Sequence, residues 1–234
     1  YLLHYYVSIK SLHMAKKINN NYSKYDWPVA FAQSYLLIAK LACQELLSDS
    51  EDKRHKAEDI FVYGVPDLYV PIVFNIKHGI EVFIKSLSIF IDETYDERTH
   101  DIKKLFQDVK PRILKGLHPT DRPYYDNLTQ DGVNEIKNAL SQIETLINEF
   151  YHLDFLKSKI NQNYTFSDIQ NDFFRYPENK TGIQINWEPV LRDLSKEDVE
   201  QILSKVNELY ENFNKVSAAL SILSRSTNKQ ESED

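Results

Sequence analysis

Apolar residues recur at intervals of three and four along most of this chain, which is the spacing of one helix face. Two segments in the second half of the chain repeat it most regularly and predict two long helices. Strict 3-4 spacing forms a seam for left-handed packing, so the pair fits either one helical bundle or a dimeric coiled coil. The two seams are Val133, Ile136, Leu140, Ile143, Ile147 and Phe150, and then Val199, Ile202, Val206, Leu209, Phe213, Val216, Leu220 and Leu223.

Two further helices are predicted near the beginning of the chain. Residues 1–18 carry Leu2, Tyr6, Ile9 and His13 at helical spacing and are followed by three asparagines. Asp26 is a suitable N-cap for the next helix, and Pro28 falls in its first turn, where a missing N–H costs nothing. We expect this helix to end near residue 47.

The segment after Pro71 predicts a helix that is apolar on most sides and carries one narrow polar stripe. The stripe consists of His78, Glu81 and Lys85, and it lies opposite the predicted core face. Polar groups on such a helix must be solvated, paired or functional. The core face is formed by Val73, Ile76, Ile80, Phe83, Ile84, Leu87 and Ile91.

A second predicted helix opens with Thr99, His100 and Asp101 after an acidic loop. Thr99 is a good N-cap, and Asp101 in the first turn would complement the helix dipole. Consecutive antiparallel helices would bring His100 close to His78 or Glu81. One interpretation is that these polar side chains only pair with one another and stabilise the fold. The other is that the stripe, His100 and Asp101 form a polar pocket that binds a ligand, in which Lys85 contacts a phosphate or carboxylate.

Residues 160–190 differ in character from the rest of the chain. Alternating Ile183, Ile185 and Trp187 follow a turn that ends in glycine, which predicts a small β-hairpin near 173–187. Arg175 lies among aromatic residues of this segment. An arginine in that setting either locks the hairpin onto the helices or grips a phosphate or carboxylate.

The composition supports an all-α, cytoplasmic protein. Hydrophobic residues make up 42% of the chain, charged residues 27%, and there are only five glycines. We expect one helical domain over residues 1–225 and a disordered polar tail over 226–234. The single cysteine, Cys43, excludes a disulfide framework and is expected in the core. The apolar run 28–43 is too short for a membrane span.

The net charge and the absence of known binding motifs argue against several classes of ligand. A net charge of −7 argues against a broad nucleic-acid surface, and no DNA binding is expected. No P-loop, dinucleotide-binding glycine motif, nucleophile elbow or zinc-ligand spacing occurs. The sequence therefore predicts neither a cofactor nor a metal.

Residues 77–87 (KHGIEVFIKSL) followed by 99–105 (THDIKKL) resemble the HEPN-like helical superfamily. The segment 174–177 (FRYP) is also similar to an element of uncharacterised bacterial relatives. The resemblance implies an up-down bundle of four or five helices, often dimeric, with links to nucleotides or RNA. Many members are ribonucleases of toxin–antitoxin, CRISPR or phage-defence systems, and others act as binding or assembly modules.

Catalytic members of this superfamily carry an arginine and then a histidine, with four to six residues between them. Arg112 and His118 fit that spacing, although Ile113 stands where a polar residue is usual. Three functions follow as alternatives. The first is a bacterial defence or stress module that binds a nucleotide, RNA or a partner protein. The second is a metal-independent endoribonuclease at a dimer interface, and the third is a structural homodimer.

Overall fold

The computed structural model describes residues 26–48, 65–91, 99–117, 129–152 and 196–230, and within these ranges the chain is helical without strands. The predicted all-α class is therefore confirmed. The hairpin expected at 173–187 lies outside the described residues. The five helices are α1 (Asp26–Ser48), α2 (Val65–Ile91), α3 (Ile102–Gly116), α4 (Gln130–His152) and α5 (Lys196–Gln230).

The described helices close into a ring. Each described helix packs on the next described helix along the chain, from α1 through to α5, and α5 also packs on α1. Elements that follow one another along a chain are usually neighbours in space. Inside the ring, the Phe83 ring of α2 stacks on the Phe213 ring of α5 with centroids 3.7 Å apart. The ring thus surrounds one continuous hydrophobic core.

The two predicted seams face this core within a single chain. Of the seam residues, those from Val133 to Phe150 and from Val199 to Val216 are buried. The structure therefore has the bundle and not a coiled coil of two chains through these seams. Homodimerisation stays a prediction, and it would have to use another surface.

Helix α2 begins earlier than the sequence indicates, at Val65, and contains Pro71. Pro71 is exposed, so the backbone hydrogen bond that a proline cannot make falls on the solvent side of the helix. The Asn75 amide donates to the Pro71 carbonyl oxygen at 2.7 Å. Beyond this point, the predicted core face from Val73 to Leu87 is buried as expected.

Helices α1 and α2 approach each other closely at Gly79. A Cβ atom at this position would lie 3.1 Å from the carbonyl oxygen of Ala32 and 3.2 Å from the Cβ of Tyr35. A side chain here would press against backbone that cannot readily move. Gly79 therefore allows α1 to pack beside the polar stripe of α2.

Helix α5 continues to Gln230, so residues 226–230 are helical and not part of a disordered tail. The physical reason is that residues 224–230 contain no glycine or proline that would end a helix. At the other end of the described chain, the apolar run 28–43 falls within α1. Neither this helix nor any other in the described ranges is both long enough and apolar enough to cross a bilayer.

Candidate functional site

A buried carboxylate forms the centre of the candidate site. The Glu81 side chain is only 4% exposed, and its Oε1 accepts a hydrogen bond from Lys85 Nζ at 2.9 Å. The same oxygen lies 2.8 Å from His100 Nδ1, and Oε2 lies 3.8 Å from His78 Nδ1. These four residues, His78, Glu81, Lys85 and His100, are called the Glu81 cluster below.

The helical spacing of α2 brings three of these side chains together. Residues 78, 81 and 85 are separated by three and four positions, so they lie above one another on one helix face. The exposed fractions of the side chains differ: His78 is 25% exposed, Lys85 30% and His100 41%. The carboxylate is therefore inside, and the basic groups form the rim.

Two aromatic rings hold the imidazole of His78. The Phe74 ring stacks on it with centroids 5.5 Å apart, and the Tyr35 ring meets it edge-on at 4.6 Å. Phe74 precedes His78 by one turn of α2, whereas Tyr35 belongs to α1. These contacts fix the orientation of the imidazole toward Glu81 and bring α1 to the edge of the cluster.

His100 reaches the cluster from the segment just before α3, and the cap of that helix holds it. The N-cap is Asp101, whose Oδ1 accepts from the backbone N–H groups of Lys103 and Lys104 at 3.1 and 3.0 Å. Thr99 Oγ1 accepts from the Asp101 N–H at 3.1 Å. The expectation that Thr99 caps the helix was wrong, because the helix begins at Ile102. The Asp101 carboxylate thus has a structural role beside His100.

The electrostatics of the cluster favour an ionised Glu81. Burial by itself would raise the pKa of this carboxyl group. Its polar contacts with His78, Lys85 and His100, together with the positive charge of Lys85, outweigh burial and lower the pKa of Glu81 well below its usual value. Glu81 therefore carries a negative charge at neutral pH, inside a rim of basic groups.

Lys77 is a buried ionisable residue that the sequence pattern did not single out. Its side chain is fully buried, and it has an interaction partner. A lysine is almost never buried without one. The sequence does contain a signal that Lys77 belongs with the polar stripe, because Lys77, Glu81 and Lys85 repeat at intervals of four on one helix face.

The remaining sequence candidates do not join this site in the described ranges. Arg112 is exposed on α3, ten residues beyond the first residue of that helix, which is about 15 Å along the axis. Arg175 and His118 lie outside the described residues. The proposed catalytic pair and the role of Arg175 therefore stay predictions.

A cysteine nucleophile and a metal site are two other kinds of chemistry to compare with the described residues. Cys43 is fully buried, and burial raises the pKa of its thiol to about 12, so it is a core residue and not an activated nucleophile. Within the part of the chain that the structure describes, no group of three or more His, Cys, Asp or Glu side chains is arranged to hold a metal ion.

Comparisons of the chain with protein-family models, with curated proteins and with solved structures give no match. The resemblance to the HEPN-like superfamily accordingly rests on residues 77–87 and 99–105 and on the shorter segment 174–177.

Proposed function

We propose that this chain is a non-catalytic, HEPN-like binding module whose Glu81 cluster binds an anionic group of a nucleotide or of RNA. The observation that carries the proposal is the buried Glu81 carboxylate, which anchors two partly exposed basic groups, Lys85 and His100. The resemblance adds a bacterial defence or stress system as the setting.

The geometry suits a phosphate because Glu81 holds Lys85 and His100 in place without using all of their hydrogen-bonding groups. A lysine ammonium group has three N–H donors, and Glu81 takes one from Lys85. Since Nδ1 of His100 faces Glu81, its Nε2 lies on the opposite side of the ring. Charge-assisted hydrogen bonds of this kind are among the stronger ones in proteins.

The proposal is tested by thermal unfolding of the full chain with ADP, ATP, inorganic phosphate or a short single-stranded RNA. A ligand at 100 times its Kd stabilises the folded state by about 2.7 kcal/mol, a shift of several degrees. We expect Lys85→Ala to abolish this shift and His100→Gln to reduce it. Lys137→Ala, which removes an exposed lysine of α4, serves as the matched control and should keep the full shift.

Two results would contradict the proposal. One is the absence of stabilisation by every anion in the panel, and the other is a full shift in Lys85→Ala. The RNA samples also distinguish the endoribonuclease alternative. Cleavage without metal that disappears in His118→Ala would replace the binding function with the catalytic one.

A further inference from the structure

Helix α3 is the most basic of the described helices. It contains five lysine or arginine residues and one acidic residue, whereas none of the other four described helices has a net positive charge. Since α3 contributes +4 to the net charge of −7, the rest of the chain carries −11. A local positive region on an acidic molecule attracts anions to one place. The basic residues are Lys103, Lys104, Lys110, Arg112 and Lys115.

The solvent-facing side of α3 carries an exposed lysine near each end. Lys104 and Lys115 are eleven residues apart, which is about three helical turns and roughly 16 Å along the axis, so they lie on the same side of the helix. The opposite side is buried in the core. Lys110 binds Glu144 of α4, and Lys103 and Arg112 take part in other interactions. The exposed pair Lys104 and Lys115 is therefore the part of α3 considered for binding.

This side of α3 begins next to the Glu81 cluster. His100, whose Nδ1 lies 2.8 Å from Glu81 Oε1, precedes Lys104 by four residues. Four residues of chain separate two backbone positions by at most roughly 14 Å. The Asp101 cap holds the short connection between them in place. A ligand that contacts Lys85 and His100 can therefore continue along α3.

We propose that Lys104 and Lys115 form a second phosphate-binding subsite, which rests on the proposed function and narrows its ligand to a linear chain of phosphates. Successive phosphates of a stacked nucleic-acid strand are spaced by roughly 3.4 Å, so about five of them cover the distance from Lys104 to Lys115. Single-stranded RNA and inorganic polyphosphate both present such a chain. A mononucleotide is too short to reach from the Glu81 cluster to Lys115.

Asp108 provides a test within the helix itself. Its side chain is exposed on the same side of α3, between Lys104 and Lys115. A carboxylate at this place repels a bound phosphate chain, so Asp108→Asn should raise the affinity about twofold, which is the scale of an interaction between exposed charges. An unchanged or lower affinity in Asp108→Asn would show that the chain does not pass along this side of α3.

Fluorescence anisotropy of the full chain with labelled oligouridylates of about two, four and eight nucleotides tests the subsite directly. We expect the affinity to increase with length. The double variant Lys104→Gln with Lys115→Gln should lower the slope of log K against log salt concentration by about 1.4, since each phosphate contact of a single strand contributes about 0.7. Lys137→Gln with Lys215→Gln removes the same charge from exposed positions of α4 and α5 and should keep the full slope.

The variants should fold, because Asp101 caps α3 through the backbone N–H of Lys104 and not through its side chain. Binding of ADP and phosphate through Lys85, with no effect of chain length and equal slopes in the two double variants, would overturn the second subsite and leave the proposed function standing. No binding of any phosphate compound would overturn both. Competition by inorganic polyphosphate against an oligouridylate of equal length identifies which phosphate chain the subsite prefers, and either preference supports it when the slope falls as expected.

Discussion

At the scale of single residues, Glu81 is the group on which the other polar contacts of the site depend. An ionised carboxylate that is 4% exposed would be costly without partners, and burial acts on its pKa in the upward direction. The direct contacts with His78, Lys85 and His100 outweigh that effect and lower the pKa. The same contacts join α2 to the segment before α3, so one side chain serves both the stability of the bundle and the placement of its basic rim.

The protonation of Glu81 predicts how stability responds to acid. Because the folded-state pKa is lowered, the stabilisation is fully present above the unfolded-state pKa of about 4.3 and is lost as the pH falls through the folded-state value. We expect the urea midpoint of the natural chain to fall more steeply below about pH 4.3 than that of Glu81→Gln. Above that pH, Glu81→Gln should cost about 1.5–3 kcal/mol. Parallel midpoint curves from about pH 3 to 6 would contradict this assignment.

The residues of the site could be predicted from the sequence only in part. The approach of His100 to Glu81 follows from the polar stripe and from the expectation that consecutive helices pack together. The identity of the cap does not follow, because Thr99 and Asp101 are both good caps and only the first helical residue decides between them. Lys77 was missed because a lysine in an apolar helix is ordinarily expected to reach solvent.

At the scale of secondary-structure elements, the crossing of α1 and α2 depends on the absence of a side chain at Gly79. This residue allows the backbone of Ala32 and the side chain of Tyr35 to come close, and Tyr35 then contacts His78. The crossing therefore fixes the position of one of the two aromatic rings that hold the imidazole. A glycine inside a helix otherwise costs up to about 1 kcal/mol relative to alanine.

Substitution of Gly79 measures the importance of this crossing. We expect Gly79→Leu to lower the free energy of unfolding by about 1–3 kcal/mol, because the added atoms overpack a contact between two helices. Gly79→Ala should cost less, since its Cβ meets the Ala32 oxygen at 3.1 Å but alanine is the better helix former. Urea unfolding compares the two variants. A Gly79→Leu chain as stable as the natural one would mean that α1 can move away freely.

The limits of the helices show which sequence signals are strong. The core face of α2 was predicted correctly from Val73 to Leu87, because apolar spacing is set by the core itself. The start of this helix was predicted too late, since Pro71 was interpreted as a boundary although an exposed proline is tolerated inside α2. At the end of α5, polar composition was mistaken for disorder although no residue there stops a helix.

At the scale of the whole molecule, the ring of five described helices decides how the two regular seams are used. The 3-4 spacing of apolar residues is the same in a bundle and in a coiled coil, so the sequence alone left both open. In the structure, Leu209 and Phe213 are fully buried within one chain, and α5 packs on both α4 and α1. The Phe83–Phe213 stack adds a contact with α2 that a two-stranded coiled coil would not provide.

This arrangement predicts that truncation of the α5 seam destabilises the chain itself. Leu209→Ala should lower the free energy of unfolding by about 2–5 kcal/mol, because it removes a side chain from a closely packed core. The urea midpoint should not change with protein concentration, since the seam is completed by α4 and α1 of the same molecule. Ser204→Ala, at an exposed position of the same helix, should have little effect and serves as the control. A midpoint that falls on dilution, and falls further in Leu209→Ala, would show instead that the seam is shared between two chains.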